Sequence, residues 1–260
     1  MPKLAANLTM MFNEVDFLDR FDAAADAGFK GVEYLFPYDY DKEQLTEKLK
    51  TNNLTQVLHN LPAGDWEAGE RGIACDPNRI GEFLEGVERA IDYATSLDCK
   101  QVNCLAGIAP DSVEPQVVRD TFVANLKFAS QMLREAGIRL LIEPINTRDI
   151  PGFYLQNTDQ ALSIMDEVDS RNLSLQYDVY HMQIMEGDLT STLEANLARI
   201  RHVQIADNPG RNEPGTGEIN YPFLFKAIDD MGYRGWIGCE YNPATTTVEG
   251  LSWAARYLDS

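Results

Sequence analysis

Positive charge is scarce in this chain: 22 Lys and Arg stand against 41 Asp and Glu in 260 residues, for a formal net charge of −19. Phosphodiester backbones and anionic bilayers are held by basic faces, so nucleic acid and membrane surfaces are poor partners for it. Histidine is scarcer still, with three, too few for the imidazole-rich centres of multi-metal phosphoesterases. The four cysteines, Cys75, Cys99, Cys104 and Cys239, include no CxxC pair. Cys104 and Cys239 lie in apolar runs, where Cys packs as a small hydrophobe. Neither GxGxxG nor GxxxxGK[ST] occurs, which argues against a dinucleotide fold and a P-loop. Gly215-Thr216-Gly217-Glu218 resembles a phosphate loop only superficially, because no Lys follows it. No apolar run approaches the roughly 20 residues of a membrane span. Met1 to Phe12 lacks a basic n-region and a cleavage site. These absences together predict a reduced, cytoplasmic protein.

What the chain does have is a rhythm. Hydrophobic residues make up 44% of it, and short apolar runs alternate with amphipathic helical stretches. Strands are predicted at Leu4–Met10, Gly31–Phe36, Thr55–Asn60, Gln101–Ala106, Arg139–Asn146, Leu173–Val179, Ile200–Ala206 and Gly235–Tyr241. Between them run helical patterns such as Phe83, Leu84, Val87, Ala90, Ile91 and Ala94, or Leu189, Leu193 and Leu197. Thr158 can cap the fifth helix. Pro222 suits the first turn of the seventh, and the last helix is expected over Val248–Leu258. Eight βα units in 260 residues predict a parallel sheet sheathed in helices. The length fits a (β/α)8 TIM barrel, typically about 250 residues. The expectation is a single α/β TIM-barrel domain over 1–260.

Four strands end in polar chemistry after apolar runs: Glu143, Asp178, Gln204 and Glu240. Side chains alternate along a strand. Leu173, Leu175 and Tyr177 must face the helices, which turns Asp178 to the barrel axis. The same parity turns Gln204 and Glu240 inward. The fifth strand is apolar on both faces, so parity leaves the direction of Glu143 open. All four lie late in their strands, at the C-terminal face where TIM-barrel active sites are built. Three carboxylates at one point need a cation, and an all-oxygen donor set suits Mg²⁺, or Mn²⁺, better than Zn²⁺.

Other residues can line the same mouth. His181 falls just past the sixth strand, where it can donate to a substrate oxygen. Arg211 lies in the loop after the seventh strand, and His59 and Asn60 end the third. Trp66, Glu70 and Arg71 belong to a long Gly- and Asp-rich loop, Leu61–Pro77, that can act as a lid. Glu33 and His202 are expected deeper inside, as a structural ion pair and a satisfied core histidine.

At this point the sequence resembles the xylose-isomerase-like TIM barrels and, among them, the hydroxypyruvate isomerases. The likeness rests on runs along nearly the whole chain. Early ones are Ala6-Asn7-Leu8-Thr9-Met10-Met11-Phe12, Phe36-Pro37-Tyr38-Asp39-Tyr40, His59-Asn60-Leu61-Pro62-Ala63-Gly64-Asp65-Trp66 and Gly69-Glu70-Arg71-Gly72-Ile73-Ala74. Later ones are Ile142-Glu143-Pro144-Ile145-Asn146, Tyr177-Asp178-Val179-Tyr180-His181 and Gly238-Cys239-Glu240-Tyr241. Gln204-Ile205-Ala206-Asp207 leads on to Glu213-Pro214-Gly215-Thr216-Gly217-Glu218-Ile219-Asn220-Tyr221.

The resemblance implies that Glu143, Asp178, Gln204 and Glu240 bind a divalent metal, and that Glu143 and Glu240 transfer protons. From the related ketose epimerases it implies substrate contacts for His181 and Arg211. Arg71 and His59 complete the expected substrate wall. The implied reaction interconverts hydroxypyruvate and tartronate semialdehyde, with a small anionic 2-keto acid as partner and a homo-oligomer possible. One departure is Asn242-Pro243, where the family pattern has Lys-Pro. It removes a cation for that anion. The alternatives are a 2-oxo-tetronate isomerase, a ketose 3-epimerase, and a non-catalytic barrel that captures a small acid.

Overall fold

Alternation along each strand sorts side chains into two groups, one buried under helices and one buried on the barrel axis. The computed structural model, which describes residues 2–258, shows both. Its strands are β1 (Lys3–Asn7), β2 (Gly31–Glu33), β3 (Thr55–Asn60), β4 (Gln101–Cys104), β5 (Arg139–Ile142), β6 (Leu173–Asp178), β7 (Ile200–Ile205) and β8 (Trp236–Cys239). They close into a barrel in sequence order, all parallel, with β8 returning to β1 through Lys3↔Trp236 to Ala6↔Cys239. The helices between them are α1 (Arg20–Asp26), α2 (Lys42–Thr51), α3 (Ile80–Ser96), α4 (Pro115–Glu135), α5 (Thr158–Val168), α6 (Val179–Met185), α7 (Leu189–Asn196), α8 (Tyr221–Asp230) and α9 (Ala255–Leu258). This is the predicted (β/α)8 architecture.

The outer face of the strands belongs to one large core. Val102, Leu140, Ile142, Leu175, Tyr177, Val203, Ile205, Ile237 and Cys239 all join it, packed against helix residues such as Phe83, Phe122 and Leu126. A separate small cluster, Ala5, Val57, Leu58 and Leu141, forms an apolar plug with Trp236 packed against it. The separation settles what parity left open. Leu141 leaves the outer core for the plug, so Glu143, two residues on, continues along the inner face.

Several boundaries differ from the sequence reading. The ladder of β5 stops at Ile142 and that of β8 at Cys239, so Glu143 and Glu240 stand one residue beyond their strands. Between β6 and β7 there are two helices rather than one, and the first starts directly at Val179. His181 is therefore in a helical first turn, not a loop. The signal was hard to see because Val179 to Met185 is short, with His181 and Gln183 as its clearly polar residues. Asn157, not Thr158, caps α5, accepting from the Gln160 N–H. The C-terminal segment is a 3₁₀ turn over Glu249–Trp253 followed by the short α9. All four cysteines are buried and free. No helix among the described residues is long and apolar enough to cross a membrane.

Candidate metal and proton-transfer site

The barrel axis turns polar above the plug. Glu143, Asp178, His181 and Glu240 each bring one ligand atom within 4.8 Å of the others, and all four are buried. Burial, with the charges of Glu240 and Asp178 adding to it, holds the Glu143 carboxyl well above the usual carboxylate range. Burial likewise lifts Glu240 to about 8, with Arg211 opposing and Asp178 and Glu33 adding to the rise. Asp178 rises to about 6 from burial, again opposed by Arg211. Crowded acids of this kind are what a bound cation relieves.

Local sequence explains each placement. Asp178 is the N-cap of α6: its Oδ1 accepts from the Tyr180 N–H at 2.8 Å, as short acidic side chains do at helix starts. That leaves Oδ2, which is buried without a hydrogen-bond partner. His181 follows one helical turn later, with Nε2 3.5 Å from Asp178 Oδ2 and 3.9 Å from Glu143 Oε1. Its other nitrogen meets the amide of Asn146 at 2.7 Å. Asn146 is itself oriented by Asp149, whose N–H donates to Oδ1 and whose carboxylate accepts from Nδ2. The nitrogen of Asn146 therefore donates to His181 Nδ1, which puts the imidazole proton on Nε2, facing the cluster. Burial and Arg211 hold His181 well below the ordinary histidine range, so the ring is neutral. It is a proton-bearing donor aimed at the site.

Glu143 accepts from Asn103 Nδ2 at 2.9 Å on Oε2, an amide that also reaches Asn60 Oδ1 at 3.2 Å, and from the side chain of Gln176. Glu240 has three. Asn7 Nδ2 and Gln204 Nε2 meet Oε1 at 3.2 and 3.3 Å, and Arg211 Nη2 meets Oε2 at 2.8 Å. Arg211 adopts φ 53, a left-handed conformation uncommon outside glycine and often kept at functional positions. Its guanidinium lies 5.0 Å from the Tyr180 ring centroid and 3.8 Å from Asp149. Far from loose, it is among the best-held groups of the mouth.

Gln204 lies beside Glu240, as the spacing predicts, but turns its nitrogen to the carboxylates. Its oxygen accepts from Gln176 Nε2 at 2.6 Å. Presenting that oxygen to a cation takes a rotation of the amide. Two further predicted substrate residues are not brought into the cluster. His59 is buried, but its ring meets Tyr38 edge to face and its Nδ1 approaches the Asn60 carbonyl at 3.1 Å. Asn60, next in the strand, takes the inward direction, so His59 faces the helix layer. Arg71 lies over Trp66 at 4.2 Å and donates to the carbonyls of Trp66 and Glu70.

The loop that carries Arg71 is braced. Arg79 grips Glu70 through both carboxylate oxygens, Asn125 donates to the Ala74 carbonyl, and Gly72 packs backbone to backbone against Leu105 and Gly107. The loop is packed in place over the β3 and β4 ends.

Asp207 explains the Gly-Thr-Gly-Glu run. Its carboxylate accepts from the N–H groups of Asn208, Gly215, Gly217 and Ile219. The backbone donors that a phosphate would need are thus satisfied internally.

Asn7, Asn103 and Asn146, which orient the acids and the histidine, carried no signal of their own in the sequence. Their meaning comes only from register: Asn7 pairs with Glu33, and Asn103 with Leu141, two residues before Glu143.

As a cation site the residues fit. Three buried carboxylates converge, one of their oxygens lacks any hydrogen-bond partner, and the donors are hard oxygens, as Mg²⁺ and Mn²⁺ require.

Comparison with known proteins agrees with the fold. The family described as xylose isomerase-like TIM barrel matches residues 21–257. The chain is 56% identical over 257 residues to the hydroxypyruvate isomerase of Escherichia coli K12, covering 99% of this chain and 100% of that one. It is 47% identical over 258 residues to a 2-oxo-tetronate isomerase of Cupriavidus necator, covering 99% of each. A solved structure from Brucella melitensis, named as an AP endonuclease of family 2, superposes with a TM-score of 0.97 at 48% identity over 99% of both chains.

Proposed function

The chain belongs to the xylose isomerase-like TIM-barrel family, and we propose that it is an isomerase interconverting hydroxypyruvate and tartronate semialdehyde (2-hydroxy-3-oxopropanoate). One observation carries the reading. Two buried glutamates from separate strands, Glu143 and Glu240, bring carboxylate oxygens within 4.8 Å of each other and of a neutral histidine.

The reaction needs two proton movements on adjacent carbons. One leaves C3 of hydroxypyruvate, giving an enediolate, and one is delivered to C2. The C3 hydroxyl loses its proton and the C2 oxygen gains one. Glu143 and Glu240 approach from β5 and β8, so one can accept at one carbon while the other donates at its neighbour. Both carboxyls are lifted toward neutrality by burial, which suits groups that must be both acid and base near pH 7. His181 Nε2–H is placed to donate to a substrate oxygen.

Glu143, Asp178 and Glu240 would hold a divalent cation, Mg²⁺ or Mn²⁺, with Gln204 orienting Glu240 beside them. When bound, the cation supplies positive charge where the two adjacent oxygens become negative. The substrate carboxylate falls to Arg211, which also donates to Glu240.

A 2-oxo-tetronate is the second reading, favoured by the 47% identical relative, and would use the same groups on a substrate one carbon longer. An endonuclease activity is disfavoured by the −19 charge and by the single histidine in the cluster.

The test is turnover of hydroxypyruvate and of a 2-oxo-tetronate by the purified protein, after chelation and after re-addition of Mg²⁺ or Mn²⁺. Metal-dependent conversion, with solvent deuterium entering C2 in D₂O, is expected. Conversion of neither substrate with either metal overturns the reading.

A further inference from the structure

Below Glu240 lies a second acid that the reaction does not consume. Glu33, at the end of β2, has no solvent exposure. Its Oε2 lies 2.7 Å from His202 Nε2, and His202 is also fully buried. Its Oε1 accepts from Gln204 Nε2 at 2.8 Å and Asn7 Nδ2 at 3.2 Å. Those two amides are the ones that reach Glu240 Oε1. Each –NH₂ has two hydrogens, and each spans the two carboxylates.

We propose that Glu33, seated on His202, is the positioning residue of the site: it fixes the amide orientations of Asn7 and Gln204, and through them one oxygen of Glu240. This deepens the function proposed above and rests on its assignment of a proton-transfer role to Glu240.

Three observations separate this from an incidental ion pair. First, the barrel interior is filled without charge one layer below, by Ala5, Val57, Leu58 and Leu141. A buried ion pair is rarely more stable than apolar packing of the same volume, so stability alone does not call for one here. Second, the charged layer directly adjoins the Glu240 carboxylate. Third, β8 makes room for it. A Cβ on Gly238 would come within 2.3 Å of Glu33 Oε1. Glycine weakens a strand interior and often marks close approach of another group. Here that group is the Glu33 carboxylate. The Gly-Cys-Glu run thus carries the acid and, two residues earlier on the same face, the space for its support.

The test compares Glu33→Gln with the wild type. Glutamine keeps the volume but turns one oxygen position into an –NH₂. That group then faces either His202 or the two amide nitrogens it should anchor. Glu33 touches no substrate, so kcat should fall ~10–100-fold while KM stays within ~3-fold. Mn²⁺ alone, titrated without substrate, should bind about 10-fold more weakly, because the acid and amide are no longer held in place. Gly238→Ala serves as the second variant. It leaves both side chains in the chain and displaces the carboxylate, and its effects should run in the same direction. Wild-type kcat and wild-type Mn²⁺ affinity in the folded variants overturn the proposal, whatever happens to Tm. If the wild type turns over neither substrate, the functional reading has failed instead, and the Mn²⁺ titration alone decides whether Glu33 organises the site.

Discussion

Glu143 and Glu240 are the same residue type, each one position past its strand and both almost fully buried, at 4% and 5% exposure, yet they are supported differently. Glu240 receives three donors on its two oxygens, and two of them are anchored on a buried acid–histidine pair. Glu143 receives two neutral amides, Asn103 and Gln176, and its Oε1 lies 3.9 Å from His181 Nε2. Hydrogen bonds to an ionised acceptor stabilise it most. Glu240 is therefore a fixed, better-solvated carboxylate, while Glu143 is the freer and more readily protonated one. Two acids of one type can take unequal shares of a proton because their neighbours differ.

The largest effects should come from removing each charge. Glu143→Gln and Glu240→Gln should each lower kcat by ~10³-fold, in the range of a lost general acid–base group. Thermal unfolding without metal should then separate them. Glu143→Gln relieves crowding among three acids and keeps an oxygen for Asn103, so Tm should hold or rise. Above pH 8, where Glu240 is ionised, Glu240→Gln takes the charged acceptor from three donors, at about 1.5–3 kcal/mol. That corresponds to a drop of ~3–10 °C for a chain of this size. Equal Tm shifts in calorimetry would break the comparison.

A smaller effect should come from the supports. Asn103 is one of two amides on Glu143, whereas Asn7 is one of three donors on Glu240. Asn103→Ala should lower kcat ~10-fold and Asn7→Ala less than ~3-fold, in steady-state assays at saturating metal. The reverse order would mean that the count of donors is not what distinguishes the two acids.

How much of this was legible in the sequence follows the same division. The barrel could be read because eight apolar runs of period two alternate with helical ones, a global signal that survives local errors. Asp178, Gln204 and Glu240 could be aimed inward because Leu175, Val203 and Cys239 fix the opposite face. Glu143 could not, because Leu140, Leu141 and Ile142 are apolar on both faces, and only the plug around Leu141 decides it. His181 could be named but not placed, since a seven-residue helix is too short to give an amphipathic signature. The asparagines and the anchoring role of Glu33 were invisible for another reason. They act through register between strands up to 233 residues apart, and no single-strand pattern encodes that. His59 shows the opposite error. A histidine at a strand end looks like a site residue, but the inward position there belongs to Asn60.

His59 gives the last and mildest test, because the comparison of the two acids assumes that it is wall and not site. Burial lowers its pKa to about 4, only partly opposed by the Asn60 carbonyl. The unfolded value is about 6.5. Between these values the unfolded chain binds a proton that the folded chain refuses. The stability that neutral His59 contributes is thus complete above about pH 6.5 and is lost as pH falls toward 4. The shift is worth about 3 kcal/mol. Denaturant unfolding should therefore show wild type losing about 3 kcal/mol more than His59→Gln between pH 7 and pH 4. Turnover of His59→Gln at pH 7 should stay within ~3-fold of wild type, as expected for a residue outside the reacting shell. A fall of ~10²-fold would put a proton-transfer role on β3 and give Glu143 a partner that the hydrogen bonds do not show.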